Sequence, residues 1–212
     1  MAKPKELYYA KRGEILVKNL KARHFDAVYC ATREEALEQA LARIPQGATV
    51  GWGGAMSAAQ IGLLDAVRKD NYAAIDRDTV PTKAEFEDCT RKAITADVFI
   101  SGANALALTG EMVNIDGLGN RVAAVIYGAK EVVVIAGMNK VCDTLEDAVR
   151  RARTIAAPMN EQRFLGDTPC AVTGTCADCK SEACICNHIV ITRHGRPTGR
   201  IKFILVGEDL GL

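Results

Sequence analysis

Cys170-x5-Cys176-x2-Cys179-x6-Cys186 places four thiols in a short span, with Cys184 as a fifth. A Cys-x-x-Cys pair can grip one metal with neighbouring ligands, and two further thiolates close a four-sulfur cage suited to zinc or an iron-sulfur cluster. The spacing is neither that of a zinc ribbon built from two Cys-x-x-Cys pairs nor that of a ferredoxin run. Reduced free thiols, or a redox disulfide through Cys176 and Cys179, remain alternatives for the same segment. Cys184, two residues before Cys186, is read as the spare thiol. Cys30, Cys89 and Cys142 fall on or beside regular elements, where cysteine acts as a small buried hydrophobe.

A second chemical feature is Val50-Gly51-Trp52-Gly53-Gly54-Ala55-Met56-Ser57, which joins a strand-like run to a helix-like one. Glycines let backbone approach a ligand, and a helix start offers free N–H groups to an anion, so Gly51, Gly53, Gly54 and Ser57 are candidate contacts for phosphate or carboxylate. The motif is neither a dinucleotide fingerprint nor a P-loop, and a tight strand-to-helix connection also uses glycine. The third feature is Ser101-Gly102-Ala103-Asn104, followed by Gly110 to Arg121. Here Glu111, Asp116, several amides and Arg121 could hold a polar ligand and move a proton. Ser101, Asn104, Gly119, Asn120 and Arg121 are the ligand-contact candidates. Asn114 and Asp116 beside glycine also fit ordinary turn chemistry.

The elements that must position these groups alternate. Residues 4–23 carry an amphipathic helix pattern. Strand-like runs at 26–30, 48–52, 72–75, 97–101 and 131–136 are separated by helical patterns at 32–44, 57–69, 82–95, 119–127 and 144–157, with a short helical stretch expected before Leu108 and a strand at 112–115. Such alternation predicts a largely parallel sheet covered on both faces, a three-layer α/β sandwich. Two further strand-like runs, 188–193 and 201–206, flank Gly195-Arg196-Pro197-Thr198-Gly199 and suggest a β-hairpin. The chain divides into an N-terminal helix (1–25), an α/β core (26–157), a cysteine-rich loop (158–187) and a C-terminal hairpin (188–212), all within a single domain.

Composition narrows the function. The 212 residues include 27 Lys and Arg against 26 Asp and Glu, a net charge of +1, which lacks the basic field of a nucleic-acid binder. With 49% hydrophobic and 25% charged residues the chain reads as globular, and no apolar run is long enough for membrane insertion. The charged start, Met1-Ala-Lys-Pro-Lys-Glu, lacks an export signal, so a cytoplasmic, reducing location is expected.

The blocks Ser101 to Ala105, Gly110 to Arg121 and Val132 to Val141, together with Thr168-Pro169-Cys170 and Val206 to Gly211, resemble the lactate-utilisation (LUD, LutC/YkgG-like) domain family, in a compact branch bearing cysteines. The resemblance implies a fold similar to the NagB/RpiA/CoA-transferase-like group, in which a glycine turn commonly holds phosphate. Isomerases of that group carry Asp-Gly-Ala-Asp where this chain has Ser101-Gly102-Ala103-Asn104, so isomerase activity is not carried over; Glu111 or Asp116 would have to supply the base. What the family implies is an accessory or catalytic component of lactate or related organic-acid utilisation, with a small anionic ligand. Its association with iron-sulfur machinery favours a [4Fe-4S] cluster over zinc at Cys170, Cys176, Cys179 and Cys186, and an iron-sulfur electron-transfer protein as partner. A phosphosugar isomerase or CoA-transferase-like enzyme, and a non-enzymatic metal-bearing scaffold, are the alternative functions. Homo-oligomerisation stays open.

Overall fold

The computed structural model describes residues 3–164 and 166–212. Helix α1 (Pro4–Ala22) leads into β1 (Asp26–Cys30), α2 (Arg33–Leu41), β2 (Thr49–Gly53), α3 (Met56–Gln60), α4 (Leu63–Lys69), β3 (Ala73–Ile75), α5 (Lys83–Ile94) and β4 (Val98–Gly102). Next come β5 (Ala105–Ala107), β6 (Met112–Asp116), α6 (Asn120–Ala123), β7 (Glu131–Gly137), β8 (Val141–Cys142), α7 (Leu145–Arg151), α8 (Ala157–Glu161), α9 (Pro169–Thr173), β9 (His188–Thr192) and β10 (Ile201–Val206). Local chemistry sets several starts: the hydroxyls of Thr32, Thr82 and Thr144 accept from the backbone N–H of Glu35, Glu85 and Asp147 at 3.3, 3.2 and 3.1 Å, capping α2, α5 and α7.

Strands β1-β10-β7-β4-β2-β3 form one sheet in that order, and every pair in it is parallel. The strands alternate between two cores. Val132, Val134 and Ala136 of β7 pack with Leu16 and Leu20 of α1 and Ala93 of α5, whereas Val133 and Ile135 pack with Ala36 of α2 and Leu63 and Val67 of α4. Helices therefore cover both faces, giving the three layers that near-continuous apolar strands require. A smaller sheet, β8-β5-β6-β9, packs against α7 through Ala105, Val113 and Ala148.

Three local expectations are corrected. Runs 188–192 and 201–206 do not pair as a hairpin: β9 lies antiparallel to β6 at an edge of the smaller sheet, while β10 is inserted between β1 and β7. Burial explains the separation, since five of the six residues of β10 are buried and β9 is mostly exposed. The stretch before Leu108 is strand β5 rather than helix, because Ala105 and Leu106 pair with Val113 and Met112. The helical pattern over 57–69 is broken at Gly62, whose φ of +80° caps the start of α4.

Candidate functional site

In the main sheet the chain passes outward from β2 to β3 and then returns inward to β4 and β7, so its direction switches between β2 and β4. Ligands of parallel α/β sheets bind beyond the carboxyl ends of the strands at such a point. A cleft of about 480 Å³ lies there. Gly53 and Gly54 follow β2, Arg77 and Asp78 follow β3, Ala103 and Asn104 follow β4, and Lys140 follows β7; all of them line it. Asp116, Asn120 and Arg121 form part of the wall, and Asn160 of α8 with Arg163 and Phe164 just beyond that helix also line the cleft.

Lys140 is 4% exposed. Its Nζ donates to Ser57 Oγ at 3.2 Å and to the Ala103 carbonyl at 3.0 Å. Burial, reinforced by the guanidiniums of Arg151 and Arg121, pushes the amine down to about 7 from its ordinary 10.5. Gly211 closes over this corner: a Cβ there would stand 2.6 Å from Ser57 Oγ and 2.7 Å from Lys140 Nζ.

Arg121 is also buried, and burial lowers its guanidinium despite Asp116 beside it. Nη2 donates to Asn104 Oδ1 at 3.1 Å and to the Ile115 carbonyl, and Nε stands 3.6 Å from Asp116. Nη1 is turned toward Gly54, 3.7 Å from where a Cβ would stand. The φ of +59° at Gly54 and this open approach together explain glycine at the position. Asp116 is tied down as well: one oxygen accepts the backbone N–H groups of Arg121 and Val122 at 3.1 and 3.2 Å. Arg77 presents a guanidinium stacked 5.2 Å from the Phe86 ring centroid, its buried Nε 3.9 Å from Asp78 Oδ1 and without a hydrogen bond among the described residues. Among the described residues the cleft thus gathers Arg77, Arg121, Lys140 and Arg163 against the side-chain carboxylates of Asp78 and Asp116. Asp78 is partly spoken for, accepting from Trp52 Nε1 at 2.8 Å. The balance favours an anion.

The cysteine segment forms part of the rim. Ile185 lines the cleft against Gly117, whose added Cβ would sit 3.5 Å from the Ile185 backbone, and Asn187 Nδ2 donates to the Gly117 carbonyl at 3.2 Å. Cys170, Cys176, Cys179, Cys184 and Cys186 are all free and half-buried. Burial raises the Cys186 thiol to about 12, and Cys184, Cys176 and Cys170 nearby add to the rise. Cys184, the sequence's spare thiol, neighbours both Cys179 and Cys186. The donor chemistry and the shared neighbourhood fit a thiophilic metal. Among the described residues no three His, Cys, Asp or Glu groups converge at metal-holding distances, so a bound metal would have to draw the sulfurs together.

The LUD domain family model matches residues 13–206. The chain belongs to the LUD domain family. No curated protein matches this LUD domain. Among solved structures it is similar to a DUF162 family protein from Deinococcus radiodurans, with a TM-score of 0.50 and 10% identity over 95% of this chain and 97% of that one, a likeness of fold. Ribose 5 phosphate isomerase A from Neisseria gonorrhoeae gives a TM-score of 0.34 at 18% identity, covering 54% of this chain and 56% of that one. Ribose 5-phosphate isomerase from Plasmodium falciparum gives 0.32 at 15%, covering 52% of each. Among the described residues no helix of the LUD domain is long and apolar enough to cross a membrane.

Of the residues marked by the sequence, the LUD domain brings Gly53, Gly54, Asn104, Asp116, Asn120 and Arg121 to the cleft, with Ser57 behind Lys140. Gly119, with φ +82°, opens α6 just behind that wall. Ser101 is fully buried and its hydroxyl donates to the Gly102 carbonyl at 2.9 Å. Glu111 stands outside the cleft lining, paired with Arg23, the residue that caps α1, and accepting from Thr109 Oγ1 at 2.5 Å. Gly51 faces α5, where a Cβ would meet Ala93 Cβ at 2.7 Å and its Cα at 2.9 Å. Gly51→Ala is therefore expected to lower stability by about 2 kcal/mol through overpacking while leaving anion affinity within twofold, as denaturant melts and calorimetry would show. The sequence pattern does not mark Lys140, Arg77 or Arg163. Lys140 ends Gly-Met-Asn-Lys directly after a fully apolar strand, which is a signal for a strand-end site only once the strand is known to be central.

Proposed function

We propose that this LUD domain binds a small organic acid, or a phosphorylated anion, at the strand-end cleft, as an accessory or catalytic component of lactate or related organic-acid utilisation. The observation that carries this reading is Lys140, a buried amine held by a hydroxyl and a carbonyl in a cleft whose other cations are Arg77, Arg121 and Arg163. Among the described residues no carboxylate pairs with Lys140, and a buried cation so placed is costly in the free protein and favourable once an anion arrives. Calorimetry on anaerobically purified protein with L-lactate, pyruvate and inorganic phosphate tests it. Saturable binding of one of them supports the reading, and silence from all three, extended to sugar phosphates and CoA esters, removes it.

Cys170, Cys176, Cys179 and Cys186 would hold the metal, a [4Fe-4S] cluster with zinc as the alternative. A cluster there would supply one-electron transfer beside the cleft and give an electron-transfer protein something to dock against. The double variant Cys176→Ser, Cys179→Ser is expected to lose stoichiometric metal altogether, measured by metal quantification and the visible absorption spectrum after anaerobic purification. Equal metal content in wild type and variant would discard the assignment, and stoichiometric zinc would make the segment a structural clamp.

A further inference from the structure

Lys140 differs in kind from the arginines around it. Its Nζ is buried at the cleft floor, and its hydrogen-bond partners, Ser57 Oγ at 3.2 Å and the Ala103 carbonyl at 3.0 Å, are neutral. The charged groups acting on it are the guanidiniums of Arg121 and Arg151, both of which favour the uncharged amine. Neither guanidinium can give up its own proton near neutrality. A desolvated lysine beside other cations, with no carboxylate within 4 Å of it among the described residues, is the arrangement that makes an amine nucleophilic. Meanwhile Arg121 Nη1 and the Arg77 guanidinium face the same space and are suited to a planar carboxylate.

We propose that Lys140 is the amine that condenses with the carbonyl group of a 2-oxo acid whose carboxylate rests on Arg121 and Arg77. The proposal rests on the anion-cleft reading and adds a covalent step to it. The lone pair of Nζ adds to the carbonyl carbon as the C=O π bond breaks, and the oxygen takes up a proton to give a carbinolamine. The nitrogen then loses its remaining proton as the oxygen leaves as water, forming C=N. One amine and one carbonyl become one imine and one water, with no change of oxidation state. Ser57 Oγ, within hydrogen-bonding distance of Nζ, is the hydroxyl able to carry the proton from nitrogen toward the departing oxygen.

Reductive trapping reads this out. Full-length, anaerobically purified protein is incubated with pyruvate and cyanoborohydride, and the adduct is located by intact mass and peptide mapping. One reduced pyruvate adduct per chain, on Lys140, is expected. Ser57→Ala should slow its appearance roughly tenfold or more, and Lys140→Arg should abolish it. No adduct, or adducts spread over surface lysines at the same rate in wild type and Lys140→Arg, would overturn the proposal. The wild-type peptide map locates the adduct by itself, so the test holds even where Lys140→Arg folds poorly. L-Lactate, which lacks the carbonyl, separates the two readings in parallel calorimetry. Lactate binding without a pyruvate adduct sinks the imine and leaves the anion cleft standing, and failure of lactate, pyruvate and inorganic phosphate, together with sugar phosphates and CoA esters, to bind sinks both.

Discussion

Lys140→Met is expected to weaken binding of lactate or phosphate by roughly 100-fold, the usual cost of deleting one partner of a buried charge pair, and to reverse its effect on stability with pH. In the folded chain the amine is pushed down to about 7 from 10.5. Between those values the unfolded chain carries a proton that the folded chain lacks, so the wild type gains stability as pH rises through that window. Below pH 7 both states are protonated and the full penalty of burying the charge is present, up to about 5 kcal/mol. Methionine removes that penalty but leaves Ser57 Oγ and the Ala103 carbonyl short of a donor, a loss of about 2 kcal/mol. The variant should therefore be the more stable protein at pH 6 and the less stable one at pH 10.5. Denaturant melts across this range check the crossing; parallel curves for the two proteins would contradict a buried, downshifted amine. For the wild type, affinity for an inert anion should fall above pH 7 as Lys140 loses its charge.

Glu111→Leu should do the opposite: cost about 3 kcal/mol of stability and leave anion affinity unchanged. Its carboxylate pairs with Arg23, which caps the end of α1, with side-chain exposures of 11% and 20%, and takes the Thr109 hydroxyl as well. Removing it leaves Arg23 with the Thr109 and Arg193 carbonyls at 2.7 and 3.2 Å and loosens α1 from the loop before β6. Chemical denaturation and calorimetry on the same variant separate the two effects. Normal stability with lost binding would restore Glu111 to the functional site.

The contrast between these residues shows what the sequence could and could not convey. Residue type marks Glu111 and Asp116 equally as acids near glycine, and only the fold sends one to α1 and the other to the cleft wall. Gly51, Gly53 and Gly54 are likewise indistinguishable by type, although one makes room for a helix and the others make room for Arg121 and the cleft. The alternating layers were legible because the buried parallel strands are mostly apolar and threonine caps α2, α5 and α7 between them. The separate fates of β9 and β10 were partly legible, since Ile201 to Val206 is too apolar for an edge; the short, turn-rich link between them pointed instead to the commonest local pairing. Lys140 escaped notice because a lone lysine after a strand normally reaches solvent. Its burial follows from the convergence of four strand ends and the segment around Gly211, which lie far apart along the chain.

The insertion of β10 between β1 and β7 also orders events during synthesis. Strand β1 is made early, yet its ladder partners, Lys202 to Val206, come much later along the chain. On the ribosome, β7, β4, β2 and β3 can already pair while β1 and α1 wait with an unsatisfied edge. Residues 207–211, which bring Gly211 over Lys140 and Ser57, follow directly on the strand that fills that gap. The corner of the cleft where Gly211 meets Lys140 and Ser57 is therefore shaped by the segment that directly follows the inserted strand.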